Sequence, residues 1–270
     1  MPLDATTIIG NAFADLIGAS GRGTLVIGLS GAQGSGKSTI ADALDRQFRD
    51  QGLRAATMSL DDFYLTKTER RRLAREVHPL FETRGAPGTH DIARALQAFD
   101  AIRAGEPART PSFDKGADDR RSPSEDKILP ASLDVVIFEG WCLGATPAPD
   151  ADLAVAVNAL EQSRDPDRRW RRAVNAALAG DYETLFARID KLVFLRAPSF
   201  DAVHGWRLQQ ERALARTNAD APALMDADAI AVFIQHYERI TRSMLRTLPA
   251  CADLTIDLDD ERRVIGFTAR

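Results

Sequence analysis

Thr24-Leu25-Val26-Ile27-Gly28-Leu29-Ser30 runs directly into Gly31-Ala32-Gln33-Gly34-Ser35-Gly36-Lys37-Ser38, and the reading of this stretch decides the fold. Its first half is almost continuously apolar, the pattern of a strand buried on both faces. Its second half has the spacing G-x-x-x-x-G-K-[ST], placed between that strand and a helix predicted over Lys37 to Gln51. Glycines in such a loop let successive backbone N–H groups point at phosphate oxygens, and the helix N-terminus adds its partial positive charge. The expectation is a triphosphate site, most simply for MgATP. Gly31, Gly34, Ser35 and Gly36 shape the loop, and Lys37 reaches the β- and γ-phosphates. Ser38 offers its hydroxyl to Mg²⁺, and Thr39 lies on the α-phosphate side.

Outward from this stretch, strands and helices alternate. A helix is predicted over Thr6 to Ile17, with a flexible break at Gly18 to Gly23. Further strands are predicted at Ala55 to Leu60, Asp134 to Phe138, Asp152 to Val157 and Lys191 to Arg196. Helices are predicted at Lys67 to Glu76, Ile92 to Ala104, Asp167 to Ala179, Ser199 to Thr217 and Asp228 to Leu248. Leu254 to Asp257 and Val264 to Thr268 read as a terminal strand pair around Asp259-Asp260. Arg84 to Thr89 reads as an ordered loop, and the polar stretch Thr110 to Pro130 as a surface excursion or lid. Trp206 and Phe233 read as packing residues. The pattern predicts an α/β, P-loop NTPase-type three-layer fold with a central, mainly parallel sheet flanked by helices, plus a lid. We expect one domain over 1–270, with excursions around 63–130 and 199–228.

The chain of 270 residues is 44% hydrophobic and 27% charged, enough to bury a full core. A formal net charge of -4 supplies no field that would collect nucleic acid, and the run Arg70-Arg71-Arg72 reads as a solvated helix face. No stretch approaches the ~18 apolar residues a membrane span needs, and Met1 to Gly10 lacks the pattern of a secretory signal, so a cytoplasmic location is expected. Cys142 and Cys251 lie far apart without metal-ligand spacing, which argues against a disulfide framework or a zinc site. Nothing in the sequence signals an obligate protein partner.

Two acidic clusters complete the chemistry. Ser59-Leu60-Asp61-Asp62-Phe63-Tyr64 places two carboxylates at the C-terminal edge of the second strand, where open α/β sheets bind ligands. Phosphoryl transfer to a hydroxyl needs charge neutralisation and a group that orients the nucleophile and takes its proton, so Asp61 is expected to act as base alongside Lys37. Asp62 stays open between a ligand of Mg²⁺-bound water, a structural partner and a turn carboxylate. In Val135-Val136-Ile137-Phe138-Glu139-Gly140 an apolar strand ends in an acid, with Glu139 standing where an Asp is usual. Ser38, Glu139 and Asp61 form the expected Mg²⁺ set.

The order GLSGAQGSGKST, SLDDFYLT, HPLFETRGAPGTHD and VIFEGW resembles the P-loop kinases that include uridine kinase, phosphoribulokinase and pantothenate kinase, and within them the plant- and fungal-type glycerate 3-kinases. The likeness runs from about Val26 to Tyr237. It implies that Asp61 is the base and that the loop Arg84 to Asp91 faces an acceptor bearing a hydroxyl and an anionic group, such as D-glycerate. Asp62, Tyr64, His78, Arg84, His90, Asp91 and Lys115 are then the acceptor-side candidates, and Arg207 a lid arginine for the triphosphate. Chemistry supports Arg84 independently, because a guanidinium binds a carboxylate in a two-pronged geometry. Asp91 also reads as an N-cap for the helix from Ile92, and Arg207 as an ion-pair partner of Glu211. The competing expectations are a kinase of the same group acting on a nucleoside, pantothenate or a sugar derivative, and a non-catalytic ATP-binding switch.

Overall fold

The computed structural model describes residues 4–17, 23–217 and 226–270, and for 211–217 only the backbone. In chain order the elements are α1 (Ala5–Phe13), β1 (Leu25–Gly31), α2 (Lys37–Asp50), β2 (Ala55–Ser59), α3 (Lys67–Glu76), α4 (Ile92–Arg103), β3 (Ala108–Thr110), β4 (Phe113–Asp114), β5 (Asp119–Arg120), β6 (Lys127–Leu129), β7 (Val135–Gly140), α5 (Ala159–Arg164), α6 (Arg169–Ala177), α7 (Glu183–Phe186), β8 (Lys191–Arg196), α8 (Phe200–Thr217), α9 (Ala227–Thr247), β9 (Leu254–Leu258) and β10 (Val264–Ala269).

Six strands form the main sheet in the order β10-β9-β8-β1-β7-β2. Every neighbouring pair from β2 to β9 is parallel, and only the edge strand β10 runs antiparallel. The continuous apolar runs explain this architecture. Val26, Ile27, Leu29 and all of Val135 to Phe138 are fully buried, as strands covered by helices on both faces must be. At ~1.5–3 kcal/mol for each large aliphatic side chain, these strands supply much of the stabilising burial. The order of strand addition changes sides at β1, since β7 lies on one side of it and β8 on the other. Such a switch point opens a crevice at the C-terminal strand ends, where the P-loop and both acidic clusters emerge.

Local signals set the helix starts beside this crevice. Thr66 and Glu69 form a reciprocal capping box at α3, and the Asp91 carboxylate accepts from Arg94 N at α4. Between α4 and β7 the polar excursion forms two short antiparallel ribbons, β3–β6 and β4–β5.

Two readings require correction. Asp152 to Val157 is not a strand, although its residues are all apolar after Asp152. Val155 and Val157 are exposed, and guanidinium groups take the carbonyls a ladder would use: Arg171 Nε donates to Leu153 O, and Arg239 donates to Asp152 O and Val155 O. Arg70 does not share the solvated face of Arg71 and Arg72. It is fully buried, donating to Leu65 O, Glu82 O and Asp118 O and pairing with the Asp118 carboxylate at 3.0 Å. The break expected at Gly18 to Gly23, Gly23 apart, and most of the loop between α8 and α9 lie outside the described residues. Trp206 is buried, and Phe233 packs against the core.

Candidate active site

The loop between β1 and α2 turns through left-handed glycines, Gly34 at φ +75° and Gly36 at φ +88°. Gly34 also admits a close approach, because a Cβ there would lie 2.7 Å from the Cβ of Trp206 on α8. Gly36 occupies the N-cap of α2 and provides no side-chain cap, so the first N–H groups of that helix remain available to an anion. A solvent-open cleft has Gly36, Lys37, Ser38 and Thr39 along one wall and Gln209, Gln210 and Arg262 along the other.

Beside the loop, the register of β1, β7 and β2 aligns Leu29, Glu139 and Ser59. Glu139 Oε1 accepts from Ser38 Oγ at 3.2 Å and from Ser59 Oγ at 2.5 Å, whereas its Oε2 is buried with no partner among the described residues. Burial raises the carboxyl's pKa and the Asp61 charge adds to this, against the opposing pull of Lys37. A buried, half-satisfied carboxylate next to a P-loop hydroxyl is a set of hard oxygen donors that suits Mg²⁺.

Asp61 and Asp62 lie in the 3₁₀ turn Leu60–Phe63 that follows β2. Asp61 Oδ1 accepts from Tyr64 Oη at 2.9 Å, and Oδ2 from Lys115 Nζ at 2.7 Å. Burial alone would raise the Asp61 pKa, but Lys115 and Lys37 prevail and hold it well below the usual carboxylate range. Asp62 takes Lys127 Nζ at 3.0 Å and Phe113 N at 3.4 Å, so each acid of the pair receives a lysine from the excursion between α4 and β7.

The loop before α4 closes the other side of this group. Tyr64 and His90 form an isolated antiparallel bridge, with their rings stacked 4.5 Å apart. His90 Nδ1 meets Tyr182 Oη at 2.5 Å, and burial pushes its pKa down to about 4. The Arg84 guanidinium pairs with Asp118 and lies 5.5 Å from the Phe113 ring, while its backbone carbonyl accepts from Tyr237 Oη at 3.0 Å. Gly85, at φ +122°, is required there, since a Cβ would fall 1.9 Å from that hydroxyl.

Lys37, Asp61, Glu139, Lys115, Tyr64, Arg84 and His90 therefore share one neighbourhood. His78 has different partners. It caps a short 3₁₀ helix through Leu80 N, and its Nε2 lies 3.8 Å from Asp165. That neighbourhood, with Asp167, is the one cluster of three histidine, cysteine or carboxylate side chains among the described residues whose spacing could hold a cation, but the Asp165 carboxylate already takes Arg171 and Trp170 N. Asp91 caps α4 and pairs with Arg120 at 3.2 Å. Arg207 stands 5.6 Å over the Phe233 ring and donates to Gln210, and the Glu211 side chain lies outside the described residues. Ser59, Lys127, Tyr182, Tyr237 and Arg262 stand in or beside the site without being among the candidates named from sequence. Ser59 and Lys127 stood within quoted or bounded motifs, whereas Tyr182, Tyr237 and Arg262 arrive from remote sequence with no local pattern.

A phosphate-binding loop on the central parallel strand, with carboxylates at the ends of the neighbouring strand β7 and of β2 beyond it, is the arrangement of a P-loop kinase. Comparison with known proteins narrows the class. The chain is 36% identical over 249 residues to the uncharacterized kinase mug58 of Schizosaccharomyces pombe, covering 86% of this chain and 87% of that protein. It is 34% identical over 260 residues to the chloroplastic D-glycerate 3-kinase of Arabidopsis thaliana, covering 89% of this chain and 54% of the plant protein, so it spans about half that length. The solved D-glycerate 3-kinase from Cryptococcus neoformans var. grubii superimposes with a TM-score of 0.82 at 26% identity, covering 99% of this chain and all of the other. A family model described as methylmalonyl Co-A mutase-associated GTPase MeaB matches residues 6–64, the segment around the P-loop and second strand. The chain belongs to the P-loop kinases, and it resembles their D-glycerate 3-kinase, phosphoribulokinase and uridine kinase group. It is an ATP-dependent phosphotransferase that acts on a hydroxyl-bearing small molecule. Among the described residues no helix is long and apolar enough to cross a membrane.

Proposed function

We propose that the chain transfers the γ-phosphoryl group of MgATP to a hydroxyl of D-glycerate, giving 3-phosphoglycerate. The observation that carries this reading is the grouping around Asp61: an ionised carboxylate, the Lys115 ammonium and the Arg84 guanidinium lie together near Lys37. A small hydroxy acid matches that set, with its carboxylate drawn to the cations and its hydroxyl to Asp61. A neutral nucleoside would bring those cations no anionic group of its own. The similarity to a plant and a fungal D-glycerate 3-kinase supports the same acceptor.

In this account Asp61 orients the acceptor hydroxyl and receives its proton as the oxygen–phosphorus bond forms and the β,γ-bridging bond breaks, releasing ADP. The low basicity of Asp61 is compatible with that role, because phosphoryl transfer passes through a loose transition state in which the nucleophile loses its proton late. Tyr64 fixes the second oxygen of the carboxylate. Lys37 neutralises charge on the transferred group. Ser38, Glu139 and Asp61 would hold Mg²⁺, which when bound offsets the charge of the triphosphate. We take residues 1–270 as one kinase domain, with 63–130 as the acceptor-side excursion and 199–228 as the lid.

The test is a panel of acceptors with MgATP, namely D-glycerate, pantothenate, uridine and ribulose 5-phosphate, with ³¹P and ¹³C NMR of the product. D-glycerate phosphorylated at its terminal hydroxyl is the expected outcome. Preferential phosphorylation of uridine or pantothenate would replace the acceptor while leaving the kinase class intact.

A further inference from the structure

Asp118 stands in the turn between β4 and β5 with φ at 54°, in the left-handed region that aspartate and asparagine enter more readily than most L-residues. The buried Arg70 of α3 holds it from one side: Nη2 donates to Asp118 O at 2.6 Å and pairs with the Asp118 Oδ2 at 3.0 Å. Two carbonyls take the rest of that guanidinium, Leu65 O from Nε at 3.3 Å and Glu82 O from Nη1 at 2.7 Å. Glu82 directly precedes Thr83 and Arg84, so Arg70 braces both the turn that carries Asp118 and the loop that carries Arg84. The other oxygen of the carboxylate, Oδ1, accepts from Arg84 Nη1. The Phe113 ring receives both guanidinium groups, that of Arg70 at 5.9 Å and that of Arg84 at 5.5 Å from its centre.

Asp118 therefore meets Arg84 on one nitrogen alone. Among the described residues Arg84 Nε and Nη2 donate to no protein group, and these two nitrogens form the edge on which a carboxylate docks through two parallel N–H···O bonds. Burial works against the Arg84 charge, and Asp118 leads the groups that offset it. We propose that Asp118 is the positioning residue of the acceptor anchor: braced by Arg70, it turns the Arg84 guanidinium so that the Nε–Nη2 edge is presented to the acceptor carboxylate. A long side chain left to itself loses rotamer freedom when it engages a ligand, and holding it beforehand removes that cost from binding. Asp118 acts through Arg84 and touches neither substrate nor the reacting atoms. Lys115, on the same turn, meets Asp61, so the turn brings one contact to the anchor and another to the base.

This inference rests on the reading of Arg84 as the anchor of an anionic acceptor, and a double-mutant cycle separates the two. Steady-state kinetics with MgATP and D-glycerate are measured for the wild type, Asp118→Asn, Arg84→Ala and the double variant, with thermal melts to confirm folding. Asparagine tolerates the left-handed backbone and removes only the charge. We expect Asp118→Asn to raise the acceptor KM about fivefold, to keep kcat and the KM for ATP within about twofold, and to add nothing in the Arg84→Ala background. The same rise in that background would overturn the inference and make Asp118 a structural residue of the ribbon. A fall in kcat with the acceptor KM unchanged would overturn it by tracing the effect to Lys115, and a lowered KM by showing that Asp118 competes with the acceptor for Arg84. An Arg84→Ala variant with an unchanged acceptor KM contradicts the anchor reading itself, and the positioning role with it. Should the wild type prefer pantothenate or ribulose 5-phosphate, the cycle is run with that anion, where coupling keeps the positioning role and replaces only D-glycerate; a preference for uridine would overturn both. If Asp118→Asn fails to fold, Asp118→Glu, which keeps the charge beside Arg70 and displaces the oxygen from Arg84, gives the same cycle.

Discussion

Lys115 Nζ stands 2.7 Å from Asp61 Oδ2, joining a lysine side chain that is 61% exposed to a carboxylate that is 22% exposed. An ordinary surface pair of this kind contributes ~0–1 kcal/mol. The position of this pair gives it another role, because together with Lys37 it keeps Asp61 ionised against the effect of burial. Replacing Lys115 by Met should lower turnover about 10- to 100-fold while leaving MgADP affinity unchanged. Steady-state kinetics beside a nucleotide titration would check this, and unchanged turnover would reduce Lys115 to a solvated residue of the ribbon.

Arg84→Ala should raise the KM for the acceptor by about tenfold or more and leave the KM for ATP near its original value, as loss of a carboxylate anchor requires. Arg84→Lys should not restore it, since an ammonium lacks the fork. Equal damage to both substrates, accompanied by a fall in Tm, would make the pair with Asp118 the main role of Arg84.

Arg70→Met leaves three backbone carbonyls and the Asp118 carboxylate without their buried partner. The expected cost is about 3 kcal/mol of stability, read from urea unfolding. Arg71→Met, on the exposed side of the same helix, should change stability by less than ~0.5 kcal/mol.

The sequence shows why Arg71 and Arg72 are so readable and Arg70 is not. Helical spacing identifies a polar face, but the groups that bury Arg70 come from Glu82 and Asp118, outside its helix. The P-loop, by contrast, is legible because loop, strand and helix are contiguous and every part of the motif is local. Asp61 and Glu139 were legible for a related reason: each ends an apolar strand, and parallel topology carries strand ends to one edge. Asp152 to Val157 misled because a short apolar run reports which residues could face a core, whereas Arg171 and Arg239 settle where the carbonyls go. Strands of two or three residues such as β4 and β5 carry no period of their own. Tyr182 and Arg262 reach the site through contacts 92 and 228 positions long, for which one sequence offers no signal.

His90 and His236 give a pH dependence of stability. Burial lowers both from the ordinary 6.5 to about 4, so each is neutral in the folded protein near pH 5, where the unfolded chain binds a proton. The unfolded state then holds more protons, and stability falls as pH drops from 6.5 towards 4, by up to about 3 kcal/mol for each residue. Urea unfolding at pH 8, 6 and 5 should show this slope, and His236→Gln should flatten it by close to half. A stability that stays level over that interval would contradict the burial of both rings.

The most direct test of the central claim is ADP release with MgATP and D-glycerate, comparing the wild type with Asp61→Asn and Lys37→Ala. The account predicts D-glycerate-dependent turnover in the wild type and a loss of at least about 100-fold in Asp61→Asn with MgADP affinity retained, whereas Lys37→Ala loses both. Near-normal turnover in Asp61→Asn, or no D-glycerate-dependent release from a wild type that binds MgADP, would contradict it.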